Sequence, residues 1–204
     1  MLSKQARAHR KYGVVKKISH SEASALADEL KQFLRLQPLK DNPRRRHSII
    51  VVGGVRRKEP VSKDVDLLVI VPDKKTAIAK TFTRVALAKK SGMEIICSYT
   101  AGERRHSLIV RRRGKHFAVD LFLATESEKP FALLHHTGPK DYNIRIRAHA
   151  KRNGLTLNQY GVFSSATRYR ARGSSAIKTE KDLAKFLGIT YRPPEKRSVT
   201  ASKK

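Results

Sequence analysis

The sequence predicts an α+β chain in which a mixed β-sheet carrying helices is followed by a smaller α+β unit. Apolar runs at residues 48–52 and 65–71 have the length and β-branched content of buried strands. Three more strand-like stretches follow at 93–98, 106–111 and 116–122, and from Thr125 onward helical periods take over. A boundary is therefore expected near Thr125, with a sheet-and-helix unit at 18–124 and a smaller unit at 125–191. Neither contains an internal repeat.

The elements follow in order. Ser19 or Ser21 can cap a helix in which Ala23, Leu26, Leu30, Phe33 and Leu34 recur at helical spacing as far as Leu36, before Pro38 and Pro43 end it. Gly53-Gly54 stops the first strand and Pro72 the second. Asp73 is placed to cap a helix with Ile78, Phe82 and Val85 on one face, ended by Ser91-Gly92. The last two strands join at a turn near Gly114. Helices are then expected at 129–136 and 139–153, the second terminated by Gly154. Short strands near 155–157, 161–164 and 175–178 precede a helix capped by Thr179 and ended by Gly188.

The chain has 204 residues, with 45 Lys and Arg against 17 Asp and Glu, so its formal charge is +28. A small soluble domain usually carries a net charge of roughly 2 to 8, so a polyanionic partner is expected. At 39% hydrophobic residues the chain is not a disordered tail, and its apolar runs are too short for a bilayer, which takes about 20 residues. The single Cys97 excludes an internal disulfide and offers no zinc cluster, which fits a reducing, intracellular setting. Residues 1–17 carry Lys4, Arg7, Arg10, Lys11, Lys16 and Lys17 with no acid and no apolar signal core. They read as a basic tail, as do residues 192–204 with Pro193-Pro194.

The informative chemistry lies in Gly53-Gly54-Val55-Arg56-Arg57 and in Asp64-Val65-Asp66. Residues two apart in a strand point to the same side, so Asp64 and Asp66 share one small space. Like charges in apolar company are costly unless a cation neutralises them, and Mg²⁺ takes hard oxygen ligands while leaving positions for phosphates. Asp120, inside another strand, can supply a third carboxylate; three such acids can hold two metals about 3.5 to 4 Å apart. Gly53-Gly54 lets the backbone approach a phosphate with N–H groups offered, and Arg56 or Arg57 adds charge. The P-loop spacing is missing. A plainer reading stays open from the residues alone: Asp64 and Asp66 cap a loop and Asp120 pairs with an arginine.

Taken together, Gly53-Gly54-Val55-Arg56-Arg57, Asp64-Val65-Asp66, Asp120 and Thr137-Gly138 resemble the family X DNA polymerases, in particular its minimal, virus-encoded branch. The resemblance covers about residues 49–197 and includes Glu128-Lys-Pro-Phe131, Ile144-Arg-Ile-Arg-Ala148, Leu157-Asn-Gln-Tyr-Gly161 and Thr179-Glu-Lys-Asp-Leu183. It implies a nucleotidyltransferase palm followed by a domain that closes on the nascent base pair. It also implies that Asp64, Asp66 and Asp120 bind two Mg²⁺, with Mn²⁺ as a substitute, and that Asp120 assists attack by the primer 3′-hydroxyl on an incoming dNTP. By the same resemblance Gly54 and Arg57 hold the triphosphate, Thr137 and Gly138 lie against the sugar, Asn143 and Arg147 meet the base or the template minor groove, and Gly53, Arg56 and His135 complete the nucleotide-binding set.

Departures accompany the likeness. Gly54 stands where many members have Ser, and His135-His136 stands where an aromatic residue is usual. Only 52 residues precede Gly53, which leaves no room for the family's lyase and DNA-binding modules, so polymerisation without a lyase step is expected. Duplex grip then falls to Arg145, His149 and Arg152 on one side of a helix, Arg147 and Lys151 on another, and the cluster Arg111-Arg112-Arg113. The expectation is a gap-filling enzyme of base excision repair acting on gapped or nicked duplex DNA with dNTP. A DNA ligase and an AP endonuclease would act beside it. It would be a monomer without membrane contact, placed in the host cytoplasm, the virion or the nucleus. Two rivals are a nucleotidyltransferase with another acceptor, such as an RNA end, and a non-enzymatic basic nucleic-acid binder.

Overall fold

The computed structural model describes residues 3–35, 48–71, 89–90, 92–102 and 104–197. In chain order the first unit contains α1 (Lys4–Tyr12), β1 (Ile18–Ser19), α2 (His20–Arg35), β2 (Ser48–Val51), α3 (Gly53–Arg56), β3 (Val61–Ser62), β4 (Val65–Val71), β5 (Lys89–Lys90), β6 (Met93–Ala101), β7 (Arg105–Arg112) and β8 (Lys115–Thr125). Then come α4 (Lys129–Thr137), α5 (Lys140–Arg152), β9 (Leu155–Asn158), β10 (Gly161–Ser164), a 3₁₀ turn (Ser174–Ala176), α6 (Glu180–Phe186) and a second 3₁₀ turn (Pro194–Lys196). This is the mixed-sheet α+β class that the sequence predicts.

Six strands form the main sheet in the order β2-β4-β8-β7-β6-β5. The pair β4 and β8 is parallel, and the other neighbours are antiparallel. The period of two along β4 and β8 divides the core. Val65, Leu67, Val69, Val119, Leu121 and Leu123 face α2, meeting its Leu26, Leu30 and Leu34. Leu68, Ile70 and Ala124 face the other way and pack on Ala132 of α4, while Ile109 and Ala118 on that same second face meet Val14. The second face therefore has α4 at one end and α1 at the other, with Asp120 between them in the alternation of β8.

Ser19 Oγ accepts the Glu22 N–H, so of the two candidates Ser19 caps α2. The C-terminal core gathers Phe131, Leu134, Tyr142, Ile146, Leu157, Val162 and Leu183. Thr179 and Asp182 form a reciprocal capping box at α6. Thr179→Ala is expected to cost about 1 kcal/mol, read as a lower urea midpoint at unchanged slope.

Several expectations are corrected. Residues 4–12 are helical rather than tail: Ala8 and Tyr12 turn toward the sheet, Val14 is buried, and Val15 N–H donates to the His116 carbonyl at 2.9 Å. Residues 192–197, expected to belong to a tail, are packed instead: Arg197 is buried against Tyr142 and its Nε donates to the Arg192 carbonyl at 2.8 Å. Residues 174–176 form a 3₁₀ turn in place of a strand. The expected helix after Asp73, with Ile78, Phe82 and Val85, and the end of α2 at Leu36 lie outside the described residues.

The two units are joined by charge. Arg56 donates to Thr137 Oγ1 and, at 2.6 Å, to Glu180 Oε2, while Glu180 Oε1 lies 2.8 Å from Arg197 Nη1 in an ion pair. Glu180 thus links α3 of the first unit to the C-terminal residues from inside the protein.

Candidate active site

The trio of acids is brought together by register. Asp66 of β4 sits directly beside Asp120 of β8, and Asp64 lies just ahead of β4 on the same face. One carboxylate oxygen from each lies within 4.8 Å of the others. The segment after β2 closes over them as the single turn α3. Gly53 has φ +62, and a Cβ there would stand 1.9 Å from Asp66 Oδ2, so only glycine fits.

The electrostatics show what this crowding costs. Burial, then the charges of Asp64 and Asp120, push the Asp66 carboxyl up to about 8, against the pull of Arg105 and Arg57. Burial, then Asp120, also raises Asp64. Asp120 itself is held by two groups that the sequence pattern does not reveal: Ser107 Oγ donates to its Oδ1, and Arg105 Nη2 donates to its Oδ2 at 2.7 Å. Both lie on β7, and Ser107 faces Asp120 in the sheet register. The arginine half of the plainer reading thus holds at Asp120. The convergence of three carboxylates is what that reading lacks.

Beside the acids opens a cleft of about 640 Å³ between the two units. Gly53, Gly54, Arg57, Asp64 and Asp66 line one wall and His135, Thr137, Gly138, Asn143 and Arg147 the other. Arg57 crosses between them: it donates to the Thr137 carbonyl and, at 2.9 and 2.6 Å, to Glu59 Oε1. Lys63 and Lys140 add two cations that the motifs do not single out, and Ser62 contributes a buried hydroxyl that has no partner among the described residues. A Cβ on Gly54 would come within 3.0 Å of that Ser62 Oγ, so the Gly in place of Ser leaves room for another residue's hydroxyl.

The histidines divide the roles. His135 Nδ1 is hydrogen-bonded to Arg147 Nη2, and Asn143 Nδ2 donates to the His135 carbonyl at 2.7 Å. His136 stacks on Phe122 with ring centroids 3.9 Å apart. Burial, and next the charge of Arg147, brings His135 down to about 4; burial, and next His135, brings His136 down to about 3. Both rings are neutral near pH 7, and His136 is held by its stack on Phe122.

The remaining expected site residues lie elsewhere. Arg56 is absent from the cleft wall because its guanidinium is bound to Thr137 and Glu180. Arg112 is buried in a bidentate pair with Glu29, at 2.7 Å for its Nε, so it is turned away from any ligand. Arg111 pairs with Glu94 on the surface. His149 Nε2 contacts the Leu187 carbonyl at 2.8 Å and serves packing. Arg113, Arg145, Lys151 and Arg152 are exposed.

The fold and its row of acids define a nucleotidyltransferase of the polymerase β type. A family model for the DNA polymerase beta thumb matches residues 132–198. Repair DNA polymerase X of African swine fever virus (isolate Tick/South Africa/Pretoriuskop Pr4/1996) is 43% identical over 150 residues, 74% of this chain and 81% of that one. DNA polymerase lambda of Rattus norvegicus is 27% identical over 188 residues, 84% of this chain and 32% of that one. Among solved structures, Leishmania infantum polymerase beta, described as a ternary gap complex, superposes with a TM-score of 0.75 over 97% of this chain and 76% of that one, at 23% identity. The chain belongs to the family X DNA polymerases. It is a DNA polymerase of the repair class.

Proposed function

We propose that this polymerase fills short gaps in duplex DNA during base excision repair, joining one dNTP at a time to a primer 3′-hydroxyl. The observation that carries the reading is the trio Asp64, Asp66 and Asp120, convergent within 4.8 Å at the edge of a cleft lined by Gly54 and Arg57. Residues 18–124 act as the palm, and the unit from residue 125 to Arg197 closes on the nascent pair.

The acids suit divalent cations. Their donor set is oxygen only, and the raised carboxyls of Asp64 and Asp66 mark a like-charge conflict that a cation relieves. Asp64, Asp66 and Asp120 would hold two Mg²⁺, for which Mn²⁺ could substitute. When bound, these ions neutralise phosphate charge and make the 3′-hydroxyl easier to deprotonate. The protein's own groups do the positioning, which supplies most of the acceleration in phosphoryl transfer. Backbone N–H groups at Gly53 and Gly54, with Arg57, orient the triphosphate. Thr137 and Gly138 lie under the sugar, and His135, Asn143 and Arg147 meet the base. The 3′-oxygen bonds to the α-phosphorus as the bond to pyrophosphate breaks, and the hydroxyl proton passes toward Asp120. Arg113, Arg145, Lys151 and Arg152 remain for phosphates of the duplex.

The enzyme works as a monomer inside the host cell, in cytoplasm, nucleus or virion, before a DNA ligase and after an AP endonuclease. Among the described residues no helix is long and apolar enough to cross a membrane. The test is extension of a labelled primer across a one-nucleotide gap, with each dNTP opposite each template base. Template-directed addition of one nucleotide, faster on the gap than on an open template, is expected. Transfer to an RNA end in preference to the gapped primer would contradict it. In the same assay Arg57→Ala should raise the KM for dNTP ten- to a hundredfold, the size of a missing charge-assisted hydrogen bond of about 1.5–3 kcal/mol.

A further inference from the structure

We propose that the outward face of α1 grips the phosphate backbone of the DNA that lies across the acid trio on the side away from the C-terminal unit. The proposal rests on the DNA-polymerase reading of the cleft and extends it to a surface on the opposite flank.

Placement is the first argument. Along β8 the alternating residues Ala118, Asp120, Phe122 and Ala124 share one face; Ala118 packs in the cluster beneath α1, and Ala124 packs with Ala132 of α4. At about 3.3 Å per residue, the ground under α1 begins roughly 7 Å from the Asp120 backbone. On β7, Ser107 holds Asp120 while Ile109, two residues on, lies beneath α1. Tyr99 of β6 completes the link: its hydroxyl is 3.2 Å from His9 Nε2 of α1. Burial, and then the charge of Asp120, raises that hydroxyl to about 12. α1 therefore covers the same sheet face as Asp120, on the side away from α4.

Charge is the second. α1 has no acidic residue, and Lys4, Arg7, Arg10 and Lys11 are all exposed. Among the described residues no acid lies within ion-pair distance of any of the four. Lys4, Arg7 and Lys11 follow one another at i+3 and i+4 and so form one line along the helix. That line spans about 10 Å, the axial rise of roughly three phosphates on one strand of a duplex. Four exposed cations on the sheet face that carries Asp120, in a chain of charge +28, make a positive surface suited to a polyanion.

The test is the salt dependence of binding to a fluorescent one-nucleotide-gap duplex, comparing the full chain with Lys4→Gln/Arg7→Gln/Arg10→Gln/Lys11→Gln. Glutamine preserves the helix. If α1 neutralises two to four phosphates, each worth about 0.9 in the log–log slope, the variant's slope should be shallower by roughly 2 to 4. Affinity at about 0.1 M salt should fall at least tenfold. Should the quadruple variant fail to fold, Arg7→Gln and Lys11→Gln singly should each reduce the slope by about 0.9. An unchanged slope in a chain that still binds and extends the gapped primer overturns the role of α1 alone. A wild-type chain that neither binds nor extends it overturns the polymerase reading and this proposal together.

Discussion

Asp120→Asn should leave the affinity for gapped DNA within about twofold while primer extension falls by a factor on the order of 10³ or more, the scale on which groups that act as one unit fail together. Asp64→Asn and Asp66→Asn should do the same, because each removes one oxygen ligand from a site whose three oxygens lie within 4.8 Å. The three changes should not be additive. Stability should move the other way for Asp66→Asn in chelator. The folded Asp66 carboxyl, pushed up to about 8 by burial and two neighbouring acids, keeps its proton through a range in which the unfolded chain has released it. The native state then binds more protons than the unfolded state, so metal-free stability should fall as pH rises from about 4 to 8. Urea midpoints at pH 5 and pH 8 should show that fall in the wild type and a flatter response in Asp66→Asn. With Mg²⁺ present the wild type should lose less at pH 8, since the cation binds the ionised form.

Glu180→Ala should be the most destabilising single change outside the apolar core. It leaves Arg197, whose side chain is 0% exposed, without its acid, and it frees Arg56 from α6. Breaking a buried pair by removing one partner costs about 3–5 kcal/mol. At about 2–4 °C per kcal/mol for a chain of this size, the melting midpoint should drop by roughly 6–20 °C. Extension should weaken as well, because Arg56 is the group that ties Thr137 of the cleft to Glu180. A second change, Arg197→Met, should restore part of the stability lost in Glu180→Ala by removing the stranded charge. No recovery in the double variant would assign the loss to something other than the pair.

The sheet was legible where the pattern is local. Short apolar, β-branched runs at 65–71 and 116–122 placed Asp66 and Asp120 on strands, and their pairing in register followed once those strands lay side by side. The resemblance to family X polymerases supplied the roles. Less visible were features that only tertiary structure creates. α1 has no apolar stripe of its own beyond Ala8 and Tyr12, so residues 4–12 read as a tail until the sheet offers Ile109 and Ala118 to pack on. Arg56 and Arg57 are adjacent in sequence yet turn to different partners, because a single helical turn sends one to Glu180 and the other to the cleft. Arg105 and Ser107 became site residues through cross-strand proximity to Asp120, a relation with no signature in the chain. Arg112 sits in a basic triplet that looks like a phosphate surface, but burial beside Glu29 fixes it as a structural pair.

The central claim is that three converging carboxylates work through divalent metal to join a nucleotide to a primer. Single-turnover extension of a one-nucleotide-gap duplex, titrated with Mg²⁺ after complete chelation, addresses it directly. No extension is expected without metal, and the rate should climb to a plateau as Mg²⁺ is restored, with Asp66→Asn flat throughout. A wild-type rate that does not depend on metal, or an Asp66→Asn rate that follows the wild type, would contradict it.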